Sequence, residues 1–145
     1  MIRGTVIAVL LCIAMPRAGS AASEQFGDIV VRYNAIPSAA LYPAAAKAHG
    51  IVQSAHNGLV NISVEQRAAD GSTATIAARI DGTVGDLTGH PRPIRFRETK
   101  EAGAIDYLGE FAIDASGTCV FTIDVTPAGR GQPYTLRFNH DFVVD

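Results

Sequence analysis

Several residue types that mark particular protein classes are scarce or absent in this 145-residue chain. It has no tryptophan, two methionines and two cysteines, and only 18% of its residues are charged. Two cysteines are too few for a disulfide-rich scaffold. A net charge of −2 argues against a basic nucleic-acid-binding protein. The hydrophobic content of 48% excludes a disordered chain, and the length suits a single domain.

The first 22 residues have the pattern of a secretory signal peptide. Arg3 supplies a positive charge, Thr5–Met15 is a mainly apolar stretch, and small residues follow up to Ala22. This apolar stretch is too short for a transmembrane helix, which needs about 20 residues. We therefore expect residues 1–22 to be removed, with cleavage after Ala22 or Ala21, and the mature protein to be periplasmic.

The mature domain, residues 23–145, then differs from the precursor in net charge and in cysteine content. Loss of Arg3 and Arg17 leaves ten basic residues against 14 acidic ones, so the net charge becomes −4. Cys12 is lost too, so Cys119 has no partner for an intramolecular disulfide. This charge and export together exclude nucleic acid as a partner. We also expect no membrane span after cleavage, because no other apolar run is long enough.

Alternation of apolar and polar residues dominates the mature chain and predicts β-strands. Turn-forming glycines and prolines separate seven alternating segments: 28–36, 60–65, 74–81, 94–97, 105–113, 118–126 and 134–142. This pattern predicts an all-β fold, an immunoglobulin-like or fibronectin-like sandwich of two antiparallel sheets. Leu41–Gly50 predicts a short helix of about two turns between the first and second strands, because Pro43 suits a helix start and Gly50 a C-cap.

Residues capable of catalysis or metal binding do not form a known motif. The chain lacks a nucleophile elbow, a P-loop, a dinucleotide-binding glycine pattern and a C-x-x-C pair. Cys119 shares an apolar strand face with Phe121, which favours a structural role. The four histidines have no metal-ligand spacing. We therefore predict no catalytic residue, no cofactor and no metal, and we predict that the protein is not an enzyme.

His140 is the histidine whose predicted position needs an explanation. Strict alternation places it on the inner face between Phe138 and Phe142. An inward imidazole needs a hydrogen-bond partner. We therefore expect either that His140 lies at the open end of the sandwich or that the strand is bulged there.

Three arginines form the nearest approach to a basic patch. Arg95 and Arg97 fall on one strand face, and Arg92 lies in the preceding loop. They could bind a carboxylate or phosphate, with Tyr42 as an aromatic neighbour. A charged exterior that discourages edge-to-edge strand pairing is the alternative explanation.

Three functional interpretations follow from these observations. The first is a periplasmic, non-catalytic binding module that contacts another periplasmic or envelope protein through Arg92, Arg95, Arg97 and Tyr42. The second is a small-ligand or metal-binding protein that uses His140 and its neighbours. An enzyme of unknown class is the third and least favoured interpretation.

The mature sequence also resembles a family of small exported proteins from Gram-negative bacteria, domain-of-unknown-function family 4426. The blocks that carry the resemblance are Phe26–Asp28, Val31–Ala35, Leu41–Pro43, Gly50–Ile51, Leu59–Val64, Arg95–Glu98, Phe121–Val125, Pro133–Phe138 and Phe142–Asp145. The resemblance implies a periplasmic single-domain sandwich with no assigned activity. His49, where an aromatic residue is expected, and His140, where a plain polar residue is usual, depart from the family pattern.

Overall fold

The structure, a computed structural model, describes residues 22–145, so Cys12 and the predicted signal peptide before Ala22 lie outside the described residues. Nine β-strands occupy most of the described range. Their bounds are β1 Ala22–Phe26, β2 Ile29–Pro37, β3 Asn57–Arg67, β4 Thr73–Thr75, β5 Ala78–Gly85, β6 Arg92–Glu101, β7 Ala104–Ala112, β8 Gly117–Pro127 and β9 Tyr134–Phe142. A 3-10 turn, Ser38–Ala40, and a helix α1, Pro43–Ala48, connect β2 to β3.

All the strands belong to one antiparallel sheet that curves into a nearly closed, barrel-like shape. The strand order is β1-β2-β3-β7-β6-β5-β8-β9, and the short β4 pairs with β3. Strand β6 joins the two halves, because residues 92–94 pair with β5 and residues 95–101 pair with β7. The predicted two-sheet immunoglobulin-like sandwich is therefore wrong. Alternation shows that one face of each strand is buried, but a sandwich and a barrel-like sheet share that property.

The inward faces of the strands form a continuous apolar core. Phe121, Ile123, Val125 and Leu136 are fully buried there. Burying a side chain of this size stabilises the fold by about 1.5–3 kcal/mol. Phe111 packs edge-to-face against Phe121, with ring centroids 5.1 Å apart. The core therefore extends along the barrel towards the end where β7 finishes.

One predicted strand, 74–81, is divided into β4 and β5. The Ile76 N–H still donates to the Val64 carbonyl on β3, at 2.8 Å. The Ala78 N–H instead donates to the Tyr107 hydroxyl, at 2.7 Å, and β5 then pairs with β8. Burial raises the pKa of this hydroxyl. The chain changes its pairing partner here from β3 to β8, and the Tyr107 hydroxyl accepts the Ala78 N–H that this change leaves without a backbone partner.

The helix α1 is shorter than the predicted segment and ends in a complete Schellman motif. Gly50 has φ +64°, and its N–H donates to the Lys47 carbonyl at 3.2 Å. The Ile51 N–H donates to the Ala46 carbonyl at 2.8 Å. No helix within residues 22–145 is long and apolar enough to cross a membrane.

Candidate functional site

Two loops line an open pocket of about 720 Å³ at one end of the barrel. One loop, residues 86–91, connects β5 to β6, and the other, residues 113–116, connects β7 to β8. We call this cavity the end pocket. Its polar lining includes Asp86, His90, Arg92, Asp114, Thr118 and Cys119. The volume lies within the range of about 300–1,000 Å³ that is typical of small-molecule sites.

The first loop is held by hydrogen bonds to the Asp86 carboxylate. Asp86 Oδ1 accepts the Thr88 N–H at 2.8 Å and the Gly89 N–H at 3.0 Å. The Thr88 hydroxyl donates to the same oxygen, and this bond is the main cause that holds the pKa of Asp86 below its ordinary value. His90 Nδ1 lies 3.6 Å from Asp86 Oδ2. The loop thus supports its own conformation without filling the pocket.

Arg92 connects the two loops from the inner face of β6. Its Nη1 lies 3.0 Å from Asp114 Oδ2, and its Nη2 donates to the Ala112 carbonyl at 3.2 Å. The guanidinium therefore already has partners on β7 and on the loop that follows. A ligand that uses Arg92 must share these hydrogen bonds or replace them.

The structure separates the three arginines of the predicted patch. Along β6, Arg92 lies on the same face as the buried Ile94, whereas Arg95 and Arg97 point to the opposite, outer face. The Arg97 guanidinium donates to the His49 carbonyl at the end of α1. Arg95 is exposed and has no ion-pair partner among residues 22–145.

Tyr42 lies directly before α1, and its side chain is 83% exposed. It is therefore at the opposite end of the helix from the carbonyl that binds Arg97. Tyr42 and Arg97 both lie near α1, while Arg92 lies in the end pocket. The predicted contact residues thus belong to two different surfaces.

Cys119 and His140 are direct neighbours across β8 and β9. Their Cα atoms are register partners, and the pairing runs without a bulge from Gly117 and Phe142 onwards. Both side chains are half-buried, and directly paired residues have Cβ atoms about 4.5–5.5 Å apart. His140 therefore lies at the open end of the barrel, with its ring centroid 4.6 Å from that of Phe142.

The Cys119 thiol lines the end pocket and is free. Burial raises the pKa of this thiol, and the nearby charge of Arg92 opposes the rise. No hydrogen bond joins Cys119 to His140 or to any other described side chain. In the described part of the chain, no group of three or more His, Cys, Asp or Glu residues is arranged to hold a metal ion.

Of the predicted binding residues, Arg92 lines the end pocket, and His140 lies beside it as the register partner of Cys119. The carboxylates and the loop that complete the pocket were not predicted. One available signal was the stretch Asp86-Leu-Thr-Gly89, which is typical of a turn held by an aspartate side chain. A second signal was the position of Cys119 near the beginning of β8, which places its side chain close to the end of the barrel. The pairing of Cys119 with His140 required the hairpin register, which a seven-residue loop does not specify.

A family model described as a domain of unknown function, DUF4426, matches residues 23–145. The chain belongs to this family. The crystal structure of a DUF4426 family protein from Pseudomonas aeruginosa PAO1 is 34% identical to it and superposes with a TM-score of 0.72. The match covers 86% of this DUF4426 chain and 96% of that structure.

Two structures of FetP from uropathogenic Escherichia coli strain F11 share the fold at low identity. The as-isolated protein, expressed in the periplasm, is 11% identical with a TM-score of 0.59, and the match covers 87% of this chain and 95% of FetP. A copper-bound FetP variant is 9% identical with a TM-score of 0.58, and the match covers 86% of this chain and 91% of the variant. None of the curated proteins compared with the chain matches it.

Proposed function

We propose that this DUF4426 chain is a periplasmic, non-enzymatic binding module that receives a small ligand in the end pocket. The observation that carries the proposal is the open cavity of about 720 Å³, lined by two loops, of which residues 86–91 hold their own conformation. Such a preformed cavity with a few polar groups is typical of a ligand site. The signal-peptide pattern of residues 1–22 supports a periplasmic location.

The chemistry of the pocket supports binding without catalysis. A nucleophilic cysteine needs a base within hydrogen-bond reach and a thiol that ionises readily. Burial instead raises the pKa of Cys119, and no hydrogen bond links the thiol to His140. These are the features of a site that holds a ligand without reacting with it.

A soft metal ion is the first ligand to test. A thiolate and an imidazole suit Cu(I). Cys119 lines the pocket, and His140 is its register partner on β9. The Asp86 carboxylate lines the same pocket and favours a cation, while the Asp114 carboxylate is paired with Arg92. FetP, whose fold is similar, binds copper in one of its structures.

The test uses the mature protein purified from the periplasm without a histidine tag. We expect Cu(I) to raise the melting temperature, because a ligand that binds only the folded state stabilises it. Cys119→Ser and His140→Asn should each remove this rise, and His49→Asn, which lies outside the end pocket, should retain it. Absence of bound metal, together with no thermal shift from copper, zinc or a screen of small polar molecules, would contradict the proposal.

Contact with another periplasmic or envelope protein is a second candidate, supported by a different observation. Among residues 22–145, Arg95 is exposed and has no ion-pair partner, and Tyr42 is 83% exposed. Aromatic and arginine side chains are enriched at protein interfaces. Crosslinking in intact cells should capture a partner that an Arg95→Ala/Tyr42→Ala variant fails to capture. Arg79→Ala, which removes another exposed arginine, is the matched control; unchanged capture by the first variant would exclude this surface.

A further inference from the structure

The outer face of the barrel carries an apolar groove beside α1. Ala46, Ile51 and Leu59 are buried together there, with Leu108 packed against them. A cavity of about 260 Å³ remains between the helix segment and the strands β2, β3, β6 and β7. We call this cavity the outer groove. The helix segment covers most of this apolar cluster, and the partly buried Ile36, Leu41 and Leu108 give the cavity its apolar lining.

The helical wall of the outer groove is fixed in place. The Schellman motif at Gly50 ends α1 and turns Ile51 onto the sheet. The Arg97 guanidinium donates to the His49 carbonyl and ties the same helix end to β6. A ligand would therefore meet a preformed site, which lowers the entropic cost of binding.

Two amides supply unused hydrogen-bonding groups in the groove. Asn34 and Asn61 are register partners on β2 and β3, and both line the cavity. Neither side chain is hydrogen-bonded to another residue of the described range. Each amide offers donors and an acceptor, so together they can bind a polar head group.

The charged groups that line the outer groove are predominantly acidic. Glu101 and Asp106 both line it, and no lysine or arginine does. His49 Nε2 lies 3.4 Å from Glu101 Oε1. Within residues 22–145, Asp106 has no cation at ion-pair distance. The rim of the groove therefore favours a positively charged head group.

We propose that the outer groove binds a small amphipathic cation, a primary amine carried on an aromatic or aliphatic body. The ammonium group lies at Asp106, two residues before Leu108, which is the register partner of Asn61. The apolar body lies on the partly buried Leu41 and Leu108. The cavity is slightly smaller than the usual lower limit of about 300 Å³ for small-molecule sites, so the ligand is smaller than a drug-sized molecule. This site is separate from the end pocket, and either site can exist without the other.

Three probes with the same aromatic body test the proposal. They are 2-phenylethylamine, the neutral 2-phenylethanol and the anionic 3-phenylpropanoate, titrated into the isotopically labelled mature protein and followed by backbone NMR shifts. We expect the amine to bind at least about fivefold more tightly than the alcohol, because a charge-assisted hydrogen bond is stronger than a neutral one. The anion should bind most weakly. The largest shifts should fall on β3 and β7 beside the outer groove.

Matched variants then separate the carboxylate from the apolar floor. Asp106→Asn should lower the affinity for the amine to that for the alcohol, and Asp81→Asn, an acid outside the groove, should leave it unchanged. Leu108→Phe should weaken all three probes by filling the cavity. Equal affinity for the three probes, no binding of any, or an unchanged amine affinity in folded Asp106→Asn would overturn the proposal.

Discussion

The two ends of the barrel use similar polar side chains in different ways. At the end opposite the end pocket, the Arg130 guanidinium donates to both oxygens of Asp28, at 2.9 and 2.8 Å. These residues belong to the β8–β9 loop and the β1–β2 turn, near opposite edges of the sheet. Beside them, Phe26 of β1 stacks on Tyr134 of β9, with ring centroids 4.8 Å apart. We call this the latched end.

At the open end, polar contacts join only neighbouring segments. Asp86 binds within its own loop, Arg92 pairs with Asp114 beside the adjacent strand, and Thr118 donates to Asp141 across one strand pair. No such contact crosses the mouth of the barrel within the described residues. Contacts between distant segments thus close one end of the barrel, while contacts within a loop or between neighbouring segments leave a cavity at the other.

The largest effect is expected in the core that both ends share. Phe121 is fully buried and contacts Phe111 and Phe138. Phe121→Ala should lower the free energy of unfolding by about 3–5 kcal/mol, because it removes buried surface and leaves a cavity. Leu87→Ala, 72% exposed at the end pocket, should change it by less than about 0.5 kcal/mol. Urea denaturation measures both; similar losses would show that the pocket rim belongs to the core.

A double-mutant cycle tests the latched end directly. Phe26→Ala and Tyr134→Ala should show a coupling free energy of about 0.5–1.5 kcal/mol, the usual value for an aromatic pair. Phe26→Ala and Phe142→Ala, at opposite ends, should be additive within about 0.3–0.5 kcal/mol. Chemical denaturation of the single and double variants gives both values. Additivity in the first pair would mean that the stack of Phe26 on Tyr134 does not hold the edge strands β1 and β9 together.

The strands could be predicted from the sequence more fully than their arrangement. Alternation marks a buried face wherever it is strong, as in Thr118–Thr126, but it does not say which edges pair. The change of partner within β6, at Ile94, therefore could not be predicted, and the sandwich interpretation followed. Strand β1 was missed because four of its five residues are exposed and its alternation is weak. Backbone pairing with β2 forms it instead.

The candidate sites also depend on how the strands and the helix are arranged, which alternation does not specify. His140 was placed on the inner face from alternation alone, but its neighbour Cys119 depends on the hairpin register. The outer groove was not predicted, because it requires α1 to dock on the outside of the sheet. Alternation predicts the outer face of β3 to be polar, although Leu59 lies there and is buried by the helix segment.

The ion pair of the latched end should make stability depend on pH. Hydrogen bonds from Gln66 and Arg130 hold the pKa of Asp28 below its ordinary value of 3.8. The folded state thus favours the charged carboxylate, and this stabilisation is present above pH 3.8 and is lost as the pH falls through the folded pKa. Asp28→Asn should lower the melting temperature at pH 7, and the difference should shrink in acid. Arg130→Gln should lower the melting temperature in the same pH-dependent way. If the loss of melting temperature did not change with pH, the Asp28–Arg130 ion pair would not stabilise this end of the barrel.

The smallest effect is expected at the open end, where Asp86 has the same sign of pKa shift but only local partners. The Thr88 hydrogen bond lowers the pKa of Asp86, so the carboxylate holds its loop above pH 3.8 and releases it in acid. Asp86→Asn should speed amide exchange of Thr88 and Gly89 at pH 7 and leave the global melting temperature unchanged, since the loop can open without separating the sheet edges. Amide exchange of β8 serves as the internal control. If Asp86→Asn lowered the melting temperature as much as Asp28→Asn, the two ends would hold the barrel together equally, and the self-supporting loop would not explain the cavity.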